Sequence, residues 1–170
     1  VQGLKLRETS IRKIVDDSVN ALERPDAVHL EVLYRLVDET VWIDHERIVK
    51  VLLELEMNAV EAMPGGGLLQ ILVGDDSSSI FLTIRDTGRG ISAEHLDLLF
   101  TPFFTTKPAG EGTGLGMPTV YGVVKAHGGG LTVKSNADPS QGPTGTTIRL
   151  SLPRRPALKN LRGKVIVHDE

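Results

Sequence analysis

The chain is predicted to be an α+β two-layer sandwich, with helices packed on one face of a sheet. Three observations lead to this class. Apolar residues recur at helical spacing over about 10–22, 44–63 and 115–127, and hairpin-like strand pairs lie between these stretches. The regular strand–helix alternation of a doubly wound fold is absent. With 170 residues, 40% of them apolar and 24% charged, one folded domain around a single core is expected.

Taken in order, Ser10 is placed to cap a first helix whose apolar positions are Ile11, Ile14, Val15, Val19 and Leu22. A Pro25-Asp26 turn follows, then strand segments at 28–36 and 41–43. Asp44 caps a second helix running to about Met63, with Ile48, Val51, Leu52, Leu55, Ala59 and Ala62 as its buried stripe. Pro64 and the three glycines after it stop that helix. Strands at 68–73 and 80–85, joined by a polar turn at 75–79, form a hairpin. A short helical stretch is expected near 94–99. The third helix spans about 115–127; Pro118 falls in its first turn, where no intrahelical N–H bond is lost, and Gly128 ends it. Strands at 131–135 and 146–152 close the domain. Residues 1–9 and 154–163 read as linkers, and an apolar run follows at 165–167.

Composition narrows the function. A net charge of -3 argues against a general nucleic-acid binder. With no cysteine, disulfides and thiolate metal sites are excluded, which suits a reducing compartment. No apolar run approaches the roughly 20 residues of a membrane helix, and no signal peptide is visible. The chain starts at Val1 without a methionine. It is therefore expected to be a piece of a larger cytoplasmic or membrane-anchored protein, making no membrane contact itself.

Four stretches carry chemistry. Glu54, Asn58 and Glu61 recur on one face of the second helix, away from its apolar stripe. An Asn amide oxygen is a hard neutral ligand suited to Mg2+ that also holds phosphates, and a carboxylate one turn earlier can orient or deprotonate a nucleophile. Taken alone, a solvated helix face explains the same residues. Asp86-Thr87-Gly88-Arg89-Gly90-Ile91 directly follows an apolar strand. A carboxylate there can accept the exocyclic amine of adenine while the glycines admit a ligand to the backbone, although a plain Asp-Gly turn has the same composition. Gly110 to Gly116 is glycine-rich and opens the third helix, an arrangement that suits a polyphosphate or a simple hinge. It lacks the Lys-Ser/Thr ending of a P-loop. Between these lies 99–107, with three of the four Phe residues and Lys107. A loop of that length is commonly a lid, with Phe anchors and Lys107 reaching phosphate; core packing by the Phe residues is the alternative.

In this order the four stretches resemble the nucleotide-binding boxes of the histidine kinase catalytic domain, in the ATPase superfamily shared with gyrase, Hsp90-type chaperones and MutL. Residues 55–63 look like the N box, 86–91 the first glycine box, 100–107 the F box and 112–117 the second glycine box. The resemblance covers about 10–153. It implies a Bergerat-type fold, a mixed sheet covered by three helices, binding ATP and Mg2+. Carried over by position, Asn58 holds Mg2+ and Asp86 the adenine amine, with Gly90 shaping the pocket and Thr146 assisting. Gly112, Gly114, Leu115 and Gly116 hold phosphates under a mobile lid. The ATP-binding surface further includes Glu61, Ala62, Gly88, Ile91, Phe100, Lys107, Thr113 and Met117, and Glu54 and Asn58 form the catalytic pair.

The implied reaction is transfer of the γ-phosphoryl to a histidine on a separate dimerisation domain, in two-component signalling with a response-regulator receiver domain. Many kinases carry Asn where Glu54 stands; Glu there resembles the hydrolytic members, in which it is the general base. Tyr121 replaces a basic residue common in kinases. The alternatives are thus an ATPase using Glu54 and a nucleotide-responsive interaction module without chemistry. Residues 119–125 are similar to kinases of the nitrogen-regulation and hybrid types, and 164–170 resemble the start of a receiver domain, with His168 in place of a usual acid. No stretch offers an acceptor hairpin. His45-Glu46 matches the acceptor dipeptide, but it starts the helix that carries Asn58, roughly 20 Å away at 1.5 Å per residue. His45 is expected to be a first-turn surface residue, and His127 a C-terminal charge or packing residue of the third helix.

Overall fold

The computed structural model describes residues 3–100 and 116–156, together with the backbone of residues 158–159 and 165–166. A five-stranded mixed sheet has the order β2-β4-β5-β7-β6. Its strands are β2 (Val28–Arg35), β4 (Gly67–Asp75), β5 (Ser79–Asp86), β6 (Gly130–Asn136) and β7 (Gly145–Pro153). Only β2 and β4 run parallel. Parallel neighbours need a crossover, and β3 (Thr40–Ile43) and α2 (His45–Glu61) supply it. The other sheet pairs are antiparallel.

Strand alternation decides the core. On β5, Ile80, Leu82 and Ile84 are buried, as are Leu69, Ile71 and Val73 on β4 and Ile148, Leu150 and Leu152 on β7. Against this face lie α1 (Ile11–Ala21), α2 and α4 (Gly116–Ala126). The α2 stripe Ile48, Val51, Leu52, Leu55 and Ala59 is at most 3% exposed. Ser10 caps α1 through the Arg12 amide, and Asp44 caps α2 through that of Arg47. The α+β sandwich with helices on one face is therefore the observed architecture. No helix among the described residues is long and apolar enough to cross a membrane.

The structure adds three features to the sequence reading. Residues Arg7–Ser10, within the stretch read as a linker, form strand β1, antiparallel to β3. Arg154 is not a free linker residue: its guanidinium donates to the carbonyls of Asp38, Thr40 and Asp76 and to the Asp75 carboxylate. Its own carbonyl accepts the Trp42 N–H at 2.7 Å. Finally, Glu56 joins the α2 buried stripe at 0% exposure, opposite Ser18 of α1. Near the C-terminus, β8 (Leu158–Lys159) pairs with β9 (Val165–Ile166). The short helix read near 94–99 is α3 (Ala93–Leu96).

Candidate functional site

The site is assembled along α2. At its C-terminal end, the Ala62 carbonyl accepts the Arg89 N–H at 3.0 Å, which ties the loop after β5 to the helix. Asn58 lies one turn back from Ala62 and Glu54 one turn further, about 6 Å and 12 Å along the axis. The helix thus acts as a ruler with a different chemical group at each mark.

At the Ala62 end stands Asp86. Strand period places it on the same face as Ile80, Leu82 and Ile84, so its carboxylate is only 8% exposed. Oδ1 accepts the N–H groups of Gly88 at 2.8 Å and Thr146 at 3.3 Å. Burial pushes the Asp86 carboxyl above its ordinary range, while those two amides pull it back. Oδ2 takes no hydrogen bond among the described residues and is the acceptor left for a ligand.

Around Asp86 the backbone approaches closely. Gly90 has φ +75°, and a Cβ there would overlap the Asn136 carbonyl, so only glycine fits on both counts. The Ile91 N–H donates to Ser135 Oγ at 2.7 Å. Ser135 in turn contacts the Gly145 carbonyl at 3.0 Å and Thr146 Oγ1 at 2.8 Å. A carbonyl only accepts, so the single Ser135 hydroxyl proton goes to Gly145 and Thr146 is the donor to Ser135. Ser135 thus fixes both Ile91 and Thr146, a support the sequence did not reveal. Its signal is the β6–β7 register opposite Thr146, visible only after folding.

The other end is built from α2 and α4. Asn58 Nδ2 lies 3.4 Å from Met117 Sδ, which orients the amide, and Oδ1 takes no hydrogen bond among the described residues. Glu54 lies so near Gly116, the first residue of α4, that a Cβ on Gly116 would collide with its carboxylate. An acid at the start of α4 is electrostatically favourable. Phe100 packs its ring 5.2 Å from that of Tyr121 on α4, so this Phe anchors the beginning of the F-box stretch. Glu61 is exposed and Ala62 half-buried at the end of α2. The expected site residues Lys107, Gly112, Thr113, Gly114 and Leu115 lie outside the described residues, as does His168.

One histidine expectation needs correction and another is resolved. His45 is 7% exposed, not a surface residue. It reaches Asp17 of α1 at 2.7 Å and Thr9 of β1 at 3.2 Å, so the fold has claimed both ring nitrogens. His127 is fully buried and neutral in its bonding, because Nε2 accepts the Asp44 N–H at 3.1 Å. Of the two roles expected for it, it is therefore the packing residue and not the helix-terminal charge.

No group of three or more His, Cys, Asp or Glu side chains among the described residues could hold a metal ion. A cation bound here would therefore need ligand oxygens from elsewhere, and the single free amide oxygen of Asn58 fits a cation carried on phosphates.

Comparison with known proteins identifies the family and the fold. Residues 43–156 match the model of the histidine kinase-, DNA gyrase B- and HSP90-like ATPases. The sensor histidine kinase ZraS of Escherichia coli (strain K12) is 32% identical over 94% of this chain, which spans 34% of that protein's length. The mycobacterial sensor histidine kinase MprB superposes with TM-score 0.76 at 31% identity, over 89% of this chain and 99% of that one. The catalytic domain of histidine kinase ThkA superposes with TM-score 0.72 at 25% identity, over 88% and 98%.

Proposed function

Because the chain belongs to the family of histidine kinase-, DNA gyrase B- and HSP90-like ATPases, we propose that it binds Mg-ATP and donates the γ-phosphoryl to a histidine on a separate phosphoacceptor domain. One observation carries this reading. The Arg89–Ala62 bond ties the loop that follows Asp86 of β5 to the C-terminal end of α2, which carries Asn58 and then Glu54, so an adenine acceptor, a metal-ligand oxygen and a base would follow one another in that order.

In this mechanism Asp86 Oδ2 accepts the adenine amine, which selects against guanine because guanine presents an acceptor at that position. Asn58 Oδ1 would hold Mg2+ together with phosphate oxygens. When bound, that ion neutralises charge building on the transferring group. Glu54 accepts the N–H proton of the incoming imidazole and so aims the lone pair of its other nitrogen at the γ-phosphorus. The nitrogen–phosphorus bond forms as the bond to the ADP oxygen breaks, and ADP leaves. Catalysis is positioning plus electrostatics.

The signalling context is part of the same proposal. The acceptor domain belongs to the parent kinase, a receiver domain of a response regulator takes the phosphoryl onward, and the compartment is the cytoplasm. Residues 119–125 support the nitrogen-regulation and hybrid subtype.

The deciding experiment mixes this chain with a separately supplied acceptor domain and ATP labelled at the γ-phosphate. Acid-labile, base-stable label on the acceptor histidine is expected. Nucleotide binding without any labelled acceptor would leave an interaction module instead.

A further inference from the structure

The nucleotide elements face each other near one end of an antiparallel helix pair, and at the other end an imidazole is hydrogen-bonded to the start of α2. At one end Gly116 and Met117 of α4 meet Glu54 and Asn58 of α2. At the other, His127, just past the end of α4, meets Asp44, the N-cap of α2.

Both ring nitrogens of His127 are assigned by their partners. Nδ1 lies 2.8 Å from the Val123 carbonyl, which can only accept, so Nδ1 carries the proton. Nε2 lies 3.1 Å from the Asp44 amide, which can only donate, so Nε2 is bare. The ring is neutral and the bond to α2 requires it to be. Burial pushes the imidazole below its ordinary 6.5. The charged groups facing it are Asp44 and Arg47, both from the start of α2, and α4 presents the Val123 carbonyl. The Asp44 carboxylate is already engaged by the amides of Lys5 at 2.9 Å and Arg47 at 3.2 Å. Its own N–H therefore has His127 as its partner.

We propose that His127 is a positioning residue for the nucleotide site, fixing the register of α4 against α2 so that Gly116 and Met117 stay opposite Glu54 and Asn58. This rests on the nucleotide-binding reading above. The lever is long: α4 has 11 residues, so the clamp acts about 16 Å from Gly116. Protonation turns Nε2 from acceptor to donor, aimed at another donor, and the clamp opens. Neutral His127 holds the register fully above pH 6.5, and the hold is lost as acid drives the ring through its depressed value.

Two variants separate the bonds. In His127→Gln the amide oxygen sits near the Nε2 position and accepts from Asp44, with no titration. In His127→Asn the amide reaches only the Val123 carbonyl. Affinity for a non-hydrolysable Mg-ATP analogue is measured by calorimetry across pH, with thermal melts restricting comparison to folded protein, and the imidazole titration is followed by nitrogen NMR. Wild-type affinity is expected to fall roughly tenfold in step with His127 protonation, beyond the acid loss that the Gln variant retains through Asp86. The Gln variant keeps neutral-pH affinity without the His127 step, and the Asn variant is roughly five- to tenfold weaker at all pH. Wild-type affinity indifferent to His127 protonation would overturn the proposal, as would rescue by Asn but not by Gln. Absence of binding at every pH would remove the nucleotide reading as well.

Discussion

Asp86 and Thr146 are directly paired across β5 and β7, and the Thr146 amide reaches Asp86 Oδ1 at 3.3 Å. With Gly88 on the same oxygen, Oδ1 is occupied and Oδ2 takes no bond among the described residues. Asp86→Asn keeps the shape but offers either a weaker acceptor or a donor to the adenine amine. ATP affinity should fall about ten- to a hundredfold, from a lost charge-assisted bond of about 1.5–3 kcal/mol. Thermal stability should hold or rise, because burial already disfavours the charged form. Calorimetric affinity equal to wild type would remove the adenine role.

Glu54 and Gly116 sit in contact where α2 meets α4. In Glu54→Gln, phosphotransfer to an added acceptor should drop roughly 10²–10⁴-fold, the usual worth of a general base. Analogue affinity should change far less. Both are read from single-turnover labelling and calorimetry on the same sample. Steady ATP hydrolysis by the chain alone, lost in Glu54→Ala, would instead identify a hydrolase.

Glu56 contributes a distinct pH dependence. It is fully buried between α1 and α2, Oε2 has no partner, and the carboxyl is pushed up to about 7 by burial, against the pull of Ser18. Ser18 Oγ lies 2.9 Å from the Val15 carbonyl and 3.3 Å from Glu56 Oε1, and its one proton cannot serve both. Ionised Glu56 competes for that proton, whereas protonated Glu56 can itself donate to Ser18 Oγ and leave the Ser18 proton to Val15. The folded state thus binds this proton more tightly than the unfolded chain does, from an ordinary 4.5 to about 7. The associated stability is complete below the lower value and disappears as pH rises through the higher one. Glu56→Gln should therefore gain up to about 3 kcal/mol over wild type at pH 8 and converge with it near pH 4, by urea unfolding at each pH. Parallel stability curves for the two proteins would contradict this.

Arg154 closes the sheet at the end remote from Asp86. Its side chain is 15% exposed and joins the β2–β3 loop to the β4–β5 turn through Asp38, Thr40, Asp75 and Asp76. Arg154→Ala should lower Tm by roughly 5–10 °C. Nucleotide affinity should stay at the wild-type value when measured below both melting transitions.

Much of this was legible in the sequence, for physical reasons. Helical period exposed α1 and α2, and Ser10 and Asp44 announced their starts. Strand alternation and the polar turn at 75–79 gave the β4–β5 hairpin. Asp86, Gly90 and Asn58 stood out only as a set, through the order of the stretches that resemble the nucleotide-binding boxes. What stayed hidden depends on register between distant segments. Ser135 matters through its place opposite Thr146, and Arg154 matters through the β2–β3 loop and the β4–β5 turn, which meet only after folding. His45 looked like a surface residue from its first-turn position, yet Asp17 and Thr9 enclose it. Glu56 was hidden because a carboxylate at a core position contradicts the pattern that defines the core.

The backbone bond from Trp42 to Arg154 and the β1–β3 pairing bring the polypeptide's incoming and outgoing leads to the same strand. Arg154 lies beside the start of β5, seven residues and about 23 Å from Asp86. Both leads thus meet β3 at the pole opposite Asp86, and β3 runs straight into Asp44, the cap of α2, so a load on either lead arrives first at the foot of that helix.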